Sequence, residues 1–321
     1  MIYRGISLRI SVTEACQLRC VYCRAETNAQ SHPSNRPRLG NAELLSLVRL
    51  LHETVGIAKL RFTGGEPLLR RDLPALIAGC LELGISDLSL TTNGQRLAEQ
   101  APILRKSGLD RINVSLDSLH PATFAQVTRG GDLCATLAGI DAVLVQGMSP
   151  VKLNMVVLRG VNDDEIVNML EFGFRTRCQV RFLELMPIGV AAATFSQRFL
   201  SSSEVLDRLA TDYEFEEIPG VAGDTSRNFW VEDSRGRRTM CGFISPTSQP
   251  FCDGCNRLRL THDGRLLGCL AHPESLDLLP ALSAAAKGDC GLLADAVADA
   301  LAMKMLPREL SRQRDMARIG G

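Results

Sequence analysis

Strand-like and helix-like patterns alternate through the first 185 residues of this 321-residue chain, and this alternation constrains its fold more than any other feature. Strands separated by helical crossovers run parallel, because each crossover returns the chain to the same end of the sheet. We therefore predict an α/β fold built as an open barrel of six β/α units, part of a TIM-type (β/α)8 barrel. The predicted strands are 6–12, 58–63, 86–91, 111–116, 151–158 and 178–185. The helical segments are 41–55, 72–83, 95–106, 132–146 and 163–175.

The alternation stops near residue 190, and a different pattern follows it. We predict two domains from this change: residues 1–190 as the partial barrel, and 191–321 as a smaller C-terminal α+β region that covers the barrel mouth. A helical tail begins near residue 289. The short predicted strands of the second region are 213–218, 228–232, 238–244, 256–261 and 265–269.

Composition and charge argue against several classes of protein. The formal net charge is zero, so bulk charge predicts neither a nucleic-acid nor a membrane partner. No apolar run approaches the ~18 residues of a membrane span, and the first residues lack the pattern of a secretion signal, so we expect a cytoplasmic protein. In that compartment the eleven cysteines are more typical of metal ligands than of disulfides.

Cys16, Cys20 and Cys23 follow the first predicted strand at the spacing C-x3-C-x2-C. Three thiolates on one short loop can bind three irons of a [4Fe–4S] cube and leave the fourth iron without a protein ligand. A structural zinc site normally has four protein ligands, and no fourth ligand lies near these three in the sequence. The spacing therefore favours an iron–sulfur cube with one open iron.

Cys252, Cys255 and Cys269 form a second group at the spacing C-x2-C-x13-C. A zinc ribbon normally uses two cysteine pairs, and here the second pair lacks one member. His262 and His272 could complete a zinc site. Two interpretations therefore stay open, a zinc site or a second [4Fe–4S] cube whose open iron is available to substrate.

The motif C-x3-C-x-Y-C, with Tyr22 before the last cysteine, resembles the signature of the radical S-adenosylmethionine (SAM) superfamily. The sequence Gly64-Gly65-Glu66-Pro67 after the second strand is similar to the superfamily's GGEP motif. The resemblance implies that SAM chelates the open iron and that one electron cleaves it to a 5'-deoxyadenosyl radical. By the same resemblance, the SAM contacts are Tyr22 through its backbone, Gly64, Gly65, Glu66, Ser115 and Met186.

The two cysteine groups together resemble, more narrowly, the GTP 3',8-cyclase family of molybdenum-cofactor biosynthesis. Arg257-Leu258-Arg259 and the terminal Gly320-Gly321 belong to that family's pattern. The resemblance implies two [4Fe–4S] clusters and a lyase that converts GTP to (8S)-3',8-cyclo-7,8-dihydroguanosine 5'-triphosphate. The residues expected to be catalytic are Cys16, Cys20, Cys23, Arg257, Arg259, Gly320 and Gly321.

A nucleoside triphosphate needs a cationic site, and the planar guanidinium of arginine can donate two hydrogen bonds to one phosphate. Side-chain alternation places Arg257 and Arg259 on one face of a strand. Arg181 in the sixth strand is a further candidate from its position alone. The resemblance assigns GTP binding to Arg9, Arg61, Thr92, Lys152, Arg257 and Arg259.

The resemblance also implies a reaction course and partners. The adenosyl radical removes the hydrogen at ribose C3', the carbon radical attacks guanine C8, and one electron and one proton complete the product. The open iron of the second cluster would bind the guanine edge. Expected partners are an electron donor such as flavodoxin or ferredoxin and a downstream cyclic pyranopterin monophosphate synthase, and a homodimer stays open.

Two other functions compete with this interpretation. A peptide-modifying radical SAM maturase usually carries more than three C-terminal cysteines, and it has no need of Arg257 and Arg259 beside them. A non-catalytic zinc- or iron-binding module has no use for the glycine motif at Gly64.

Overall fold

The first six strands pair in chain order and all run parallel, which confirms the predicted β/α alternation. The structure, a computed structural model, describes residues 5–25, 36–221, 223–272 and 274–305. The sheet stays open between its first and sixth strands, as expected of a partial barrel. The six strands are β1 Ile6–Ser11, β2 Ile57–Thr63, β3 Leu88–Thr92, β4 Arg111–Ser115, β5 Val151–Val157 and β6 Gln179–Glu184.

Helices connect these strands and continue into the C-terminal region. The predicted crossover helices are all present, whereas the short helices Pro121–Thr128, Ser202–Leu209 and Leu279–Ala285 were not predicted. The helices are α1 Asn41–Val55, α2 Leu73–Glu82, α3 Leu97–Lys106, α4 Pro121–Thr128, α5 Leu133–Val145, α6 Ile166–Thr176, α7 Phe195–Arg198, α8 Ser202–Leu209, α9 Leu279–Ala285 and α10 Gly291–Ala302.

The C-terminal strands extend the same sheet from both of its edges. The strand Arg238–Ile244 (β9) pairs parallel with β6, and the strand Arg257–Leu260 (β10) pairs parallel with β1, each with antiparallel strands outside it. The result is one sheet of 12 strands. A domain boundary near residue 190 stays a prediction. The remaining strands are β7 Tyr213–Ile218, β8 Arg227–Asp233, β9 Arg238–Ile244, β10 Arg257–Leu260, β11 Arg265–Leu267 and β12 Leu276–Asp277.

The barrel has an apolar outer face and a polar inner face. On β1, Leu8 and Ile10 are fully buried in the core that lies under the helices. Arg9, between them, points the other way, because successive side chains in a strand alternate. Its register partners are Arg61 on β2 and Arg259 on β10, so three arginines lie side by side across the inner face.

The functional motifs lie where the parallel strands end. The first cysteine loop follows β1, the glycine motif follows β2, Thr92 and Ser115 end β3 and β4, and Met186 follows β6. Parallel strands bring these ends together at one mouth of the barrel, the usual place of active sites in this architecture. Within the described ranges, none of the helices combines the length and apolar character that a membrane span requires.

Candidate active site

Three adjoining cavities occupy the inside of the barrel. We call them the upper, middle and lower cavities, with volumes of ≈ 220, ≈ 210 and ≈ 170 Å³. The upper cavity contains the first cysteine trio, the middle cavity contains the second, and the lower cavity lies at the strand starts around Lys59, Arg111 and Lys152.

The cavities share walls, so the two cysteine trios face a connected interior. Thr91, Asn154 and Met186 are among the residues that line both the upper and the middle cavity. Arg9, Arg61, Arg181 and Arg257 line both the middle and the lower cavity. A molecule in the middle cavity can therefore contact groups above and below it.

The glycine motif packs directly on the segment that leads into Cys16. Gly65 N donates to Thr13 O at 2.7 Å, and Glu66 N donates to Ala15 O at 2.7 Å. A Cβ atom at Gly65 would lie 2.3 Å from Ala15 O, and one at Gly64 would lie 2.4 Å from Thr13 O. The two glycines are therefore needed for the backbones to approach this closely.

Glu66 is buried behind the motif and fixes the end of β3. Its carboxylate accepts hydrogen bonds from Thr92 Oγ1 at 2.7 Å, Asn93 N at 2.8 Å and Leu68 N at 3.0 Å. Burial raises the pKa of Glu66 to about 7. The three hydrogen bonds and the charge of Arg96 oppose this rise, but burial has the larger effect on the pKa.

The structure places Thr92 in the upper cavity, away from the cations expected to bind GTP with it. Its hydroxyl is already bound to Glu66. The preceding residue, Thr91, lines both the upper and the middle cavity. Strand alternation separates the two threonines, and the sequence motif gave no indication which of them faces the middle cavity.

Tyr22 ties the first cysteine loop to the end of β4. Its hydroxyl donates to Asp117 Oδ2 at 2.6 Å, and Asp117 Oδ1 accepts from Val156 N at 2.9 Å. Burial raises the pKa of Asp117 to about 6 and also raises that of Tyr22. Ser115 and Met186 line the same cavity, and their contact with SAM stays a prediction.

The first trio is a set of half-buried thiols on one loop, which fits an iron–sulfur cube. Burial raises the pKa of Cys16 and Cys20, and Asp117, Cys23 and Cys16 raise that of Cys20 further. Thiols that hinder one another's ionisation are close together, and iron binding removes their protons. Asn93 Nδ2 lies 3.7 Å from Cys16 Sγ and can donate to it.

The second trio lies in the middle cavity among arginines. Cys252, Cys255 and Cys269 line this cavity together with Arg257 and Arg259. Although burial raises the pKa of Cys255, the nearby charges of Arg257 and then Lys304 bring it below its usual value. These cations favour a thiolate, the form that binds metal.

The zinc interpretation of the second trio requires ligands that converge on one ion. Neither His262 nor His272 lines the middle cavity. No group of three or more His, Cys, Asp or Glu side chains within the described ranges is arranged to hold a metal ion. In a [4Fe–4S] cube each cysteine thiolate binds a different iron, so the three cysteine sulfurs lie farther apart than the ligands of a single ion.

The lower cavity is strongly cationic. Burial, and after it the neighbouring cations, lower the pKa of Arg61 to about 10 and that of Lys152 to about 7. Arg181 is affected in the same way, with a pKa of about 10. Charges crowded like this favour a bound polyanion, which would relieve their repulsion. Lys59 and Arg111 in the same wall were not predicted, because lone cations at strand starts carry no motif.

Of the pair Arg257 and Arg259, Arg257 lines both the middle and the lower cavity, and Arg259 lines the middle one. Arg257 donates to Gly223 O at 3.0 Å and stacks on the Phe251 ring, 4.9 Å from its centroid. Arg259 is buried in the row with Arg9 and Arg61. The remaining predicted site residues, Gly320 and Gly321, lie outside the described residues.

Comparison with known proteins agrees with this geometry. The sequence model of the radical SAM superfamily matches residues 10–173, and that described as Molybdenum Cofactor Synthesis C matches residues 178–308. The GTP 3',8-cyclase of Listeria welshimeri serovar 6b is 41% identical over 276 residues, which cover 85% of this chain and 81% of that protein. The GTP 3',8-cyclase of Pelotomaculum thermopropionicum is 38% identical over 320 residues, which cover 98% of this chain and 97% of that protein.

This chain belongs to the GTP 3',8-cyclase family of radical SAM enzymes. Membership confirms the resemblance seen in the motifs, and it implies SAM and one [4Fe–4S] cluster as cofactors. Streptococcus suis SuiB, solved bound to S-adenosylmethionine, has a TM-score of 0.60 and 14% sequence identity. The match covers 88% of this chain but only 64% of SuiB, and at this identity it shows a common fold.

Proposed function

We propose that this chain converts GTP to (8S)-3',8-cyclo-7,8-dihydroguanosine 5'-triphosphate, an early step of molybdopterin biosynthesis. One observation carries the proposal: two cysteine trios line adjoining cavities of one barrel, and a cationic chamber lies beyond the second trio. The curated relatives named GTP 3',8-cyclase support the same reaction.

The upper cavity would hold SAM and its cluster. Cys16, Cys20 and Cys23 would bind three irons of a [4Fe–4S] cube, and SAM would bind beside it, where Gly64 and Gly65 line the same cavity. When bound, this pair of cofactors supplies a 5'-deoxyadenosyl radical that can take a hydrogen atom from substrate. Ser115 and Met186, in the wall of the same cavity, would contact SAM.

The middle and lower cavities would hold GTP. Cys252, Cys255 and Cys269 would bind a second [4Fe–4S] cube that faces the guanine. Lys152 and Arg181 in the lower cavity would bind the triphosphate. The ribose would then lie between the guanine and the triphosphate, beside the wall that the middle cavity shares with the upper one. The side chains that span the middle and lower cavities, and so would reach both ribose and phosphates, are Arg9, Arg61, Arg181 and Arg257.

The barrel contributes positioning and exclusion of water. Holding the ribose against the upper cavity replaces an encounter in solution with an oriented contact. The C-terminal strands that extend both edges of the sheet help to shield the interior, which protects a reactive carbon centre from other hydrogen donors. Joining C3' to C8 removes one hydrogen from C3', and one electron and one proton then give a product isomeric with GTP.

We further propose an external electron donor, such as flavodoxin or ferredoxin, that reduces the cluster of the upper cavity. A cyclic pyranopterin monophosphate synthase would consume the product.

The test is anaerobic turnover of the reconstituted protein with dithionite, SAM and GTP. We expect 5'-deoxyadenosine formation to be stimulated by GTP, together with a product of the same mass as GTP. Arg61→Ala should lose this stimulation, whereas Arg49→Ala, at an exposed position on α1, should keep it. Equal 5'-deoxyadenosine formation with and without GTP in the wild type would contradict the proposed substrate.

A further inference from the structure

The side chain of Lys304 contacts the second cysteine trio without lining the middle cavity. It lies in the short turn Met303–Met305 that follows α10. Its Nζ lies 3.5 Å from Cys255 Sγ and 2.7 Å from Gly268 O, and it also donates to Arg257 O. An ammonium has three N–H donors, so these three acceptors match its full capacity.

The position of Lys304 is fixed by packing. A Cβ atom at Gly268 would lie 1.6 Å from Ala300 O, so the segment before Cys269 lies directly on the α10 backbone. Val297 and Ala300 on α10 are buried in the hydrophobic core. The turn that carries Lys304 therefore begins from a firmly held helix end.

The three contacts connect two separate segments. Cys255 and Arg257 belong to the segment that enters β10, whereas Gly268 precedes Cys269 after β11. One side chain thus links the first and second portions of the C-x2-C-x13-C motif. Within the described ranges, Lys304 is not among the residues that line the three cavities, and its contacts are with the two segments that carry the trio.

We propose that Lys304 is a positioning residue of the second cluster. It holds the two cysteine segments together and places a positive charge against the Cys255 thiolate. Hydrogen bonds to ligating sulfurs and nearby charge set the reduction potential of iron–sulfur clusters. A fixed positive charge favours the more negative, reduced cluster and so raises its midpoint potential. The proposal rests on the second cluster of the proposed function.

The experiment compares Lys304→Met, which removes the charge, with Lys304→Arg, which keeps it. The control is Lys287→Met, at an exposed position beyond α9. Iron and sulfide are counted in each full-length protein, and the midpoint potential of the second cluster is measured by redox titration followed by electron paramagnetic resonance. We expect Lys304→Met to lower this potential or to lose the irons of the second trio, Lys304→Arg to stay closer to the wild type, and Lys287→Met to match it.

Two results would overturn the proposal. Wild-type iron content and an unchanged midpoint potential in Lys304→Met would show that the side chain has no role at the second cluster. Equal behaviour of Lys304→Arg and Lys304→Met would show that the positive charge at position 304 has no effect on the cluster. An iron count of roughly four in the wild-type protein would instead show that the second cluster is absent. That count is made before any variant, so it distinguishes failure of the proposed function from failure of the lysine assignment.

Discussion

Single residues at the barrel mouth connect loops that are distant in the sequence. Glu66 binds the end of β3, Tyr22 binds Asp117 after β4, and Gly65 packs on the segment before Cys16. Each contact holds the first cysteine loop or a strand end that faces it. The motifs around Gly65 and Tyr22 could be recognised from the sequence, because their residue types are unusual at that spacing. The contacts of Asp117 and Lys304 could not, because their partners are far away along the chain.

Gly65→Ala tests the close approach of the glycine motif. The added Cβ would lie 2.3 Å from Ala15 O and 2.5 Å from Glu14 O, so the segment before Cys16 must move. We expect the iron content to fall from about eight to about four per chain as the first trio loses its cluster. Gly220→Ala, where no atom lies within 4 Å of the new Cβ, should keep both clusters. Full iron content and SAM binding in Gly65→Ala would contradict this role.

The pH dependence of GTP binding tests Lys152. Its pKa of about 7 without anion, lowered by burial and by Arg181 and Arg61, means that the ammonium is present below pH 7 and is lost above it. A triphosphate favours the ammonium, so affinity should fall as pH rises above 7, by up to about tenfold per pH unit for one linked proton. Titration calorimetry should show a flatter pH profile in Lys152→Met than in the wild type. The exposed Lys106→Met should retain the wild-type slope, and identical slopes in all three proteins would exclude this role for Lys152.

At the scale of secondary-structure elements, the carboxylate of Glu184 anchors the loop after β9 to the barrel. Glu184 ends β6 and accepts hydrogen bonds from Ser202 N at 2.8 Å, Thr247 N at 3.1 Å and Ser248 N at 2.9 Å. It also accepts from the Ser248 hydroxyl. The bound loop continues to Cys252, and Glu184 lines both the upper and the middle cavity. This contact therefore fixes the second trio relative to the first.

Glu184→Gln tests that anchor, because an amide nitrogen would face donors that need an acceptor. Each buried donor left without a partner costs about 1–3 kcal/mol. We expect the second trio to lose iron while the first keeps its cluster, as measured by iron counting and electron paramagnetic resonance. Glu165→Gln is the matched control, since Glu165 is also buried and accepts from Ser118 Oγ and Leu119 N elsewhere. Equal second-site iron in both variants would contradict the anchoring role.

The elements differ in how far the sequence predicts them. The six barrel strands follow from the apolar alternation, and their observed bounds lie within about two residues of the predicted ones. The pairing of β10 with β1 and of β9 with β6 was not predicted. Ser7 pairs with Arg257, and such long-range register is decided by tertiary packing that local patterns do not encode.

For the whole molecule, the three cavities form one path from the first trio to the cationic chamber. The two family models meet between residues 173 and 178, so the upper cavity comes mainly from the first region, while the second region completes the middle one. The sequence predicted both cysteine sites and most of the cations. The sharing of walls depends on how 12 strands curve together, and only the structure reveals it.

The most direct test of the account is turnover of GTP deuterated at ribose C3'. If the ribose lies against the wall shared by the upper and middle cavities, its C3' hydrogen is the atom within reach of the radical formed beside the first trio. Mass spectrometry should then find one deuterium in the 5'-deoxyadenosine and none at C3' of the product. Unlabelled 5'-deoxyadenosine formed along with the cyclised product would contradict the proposed placement of GTP.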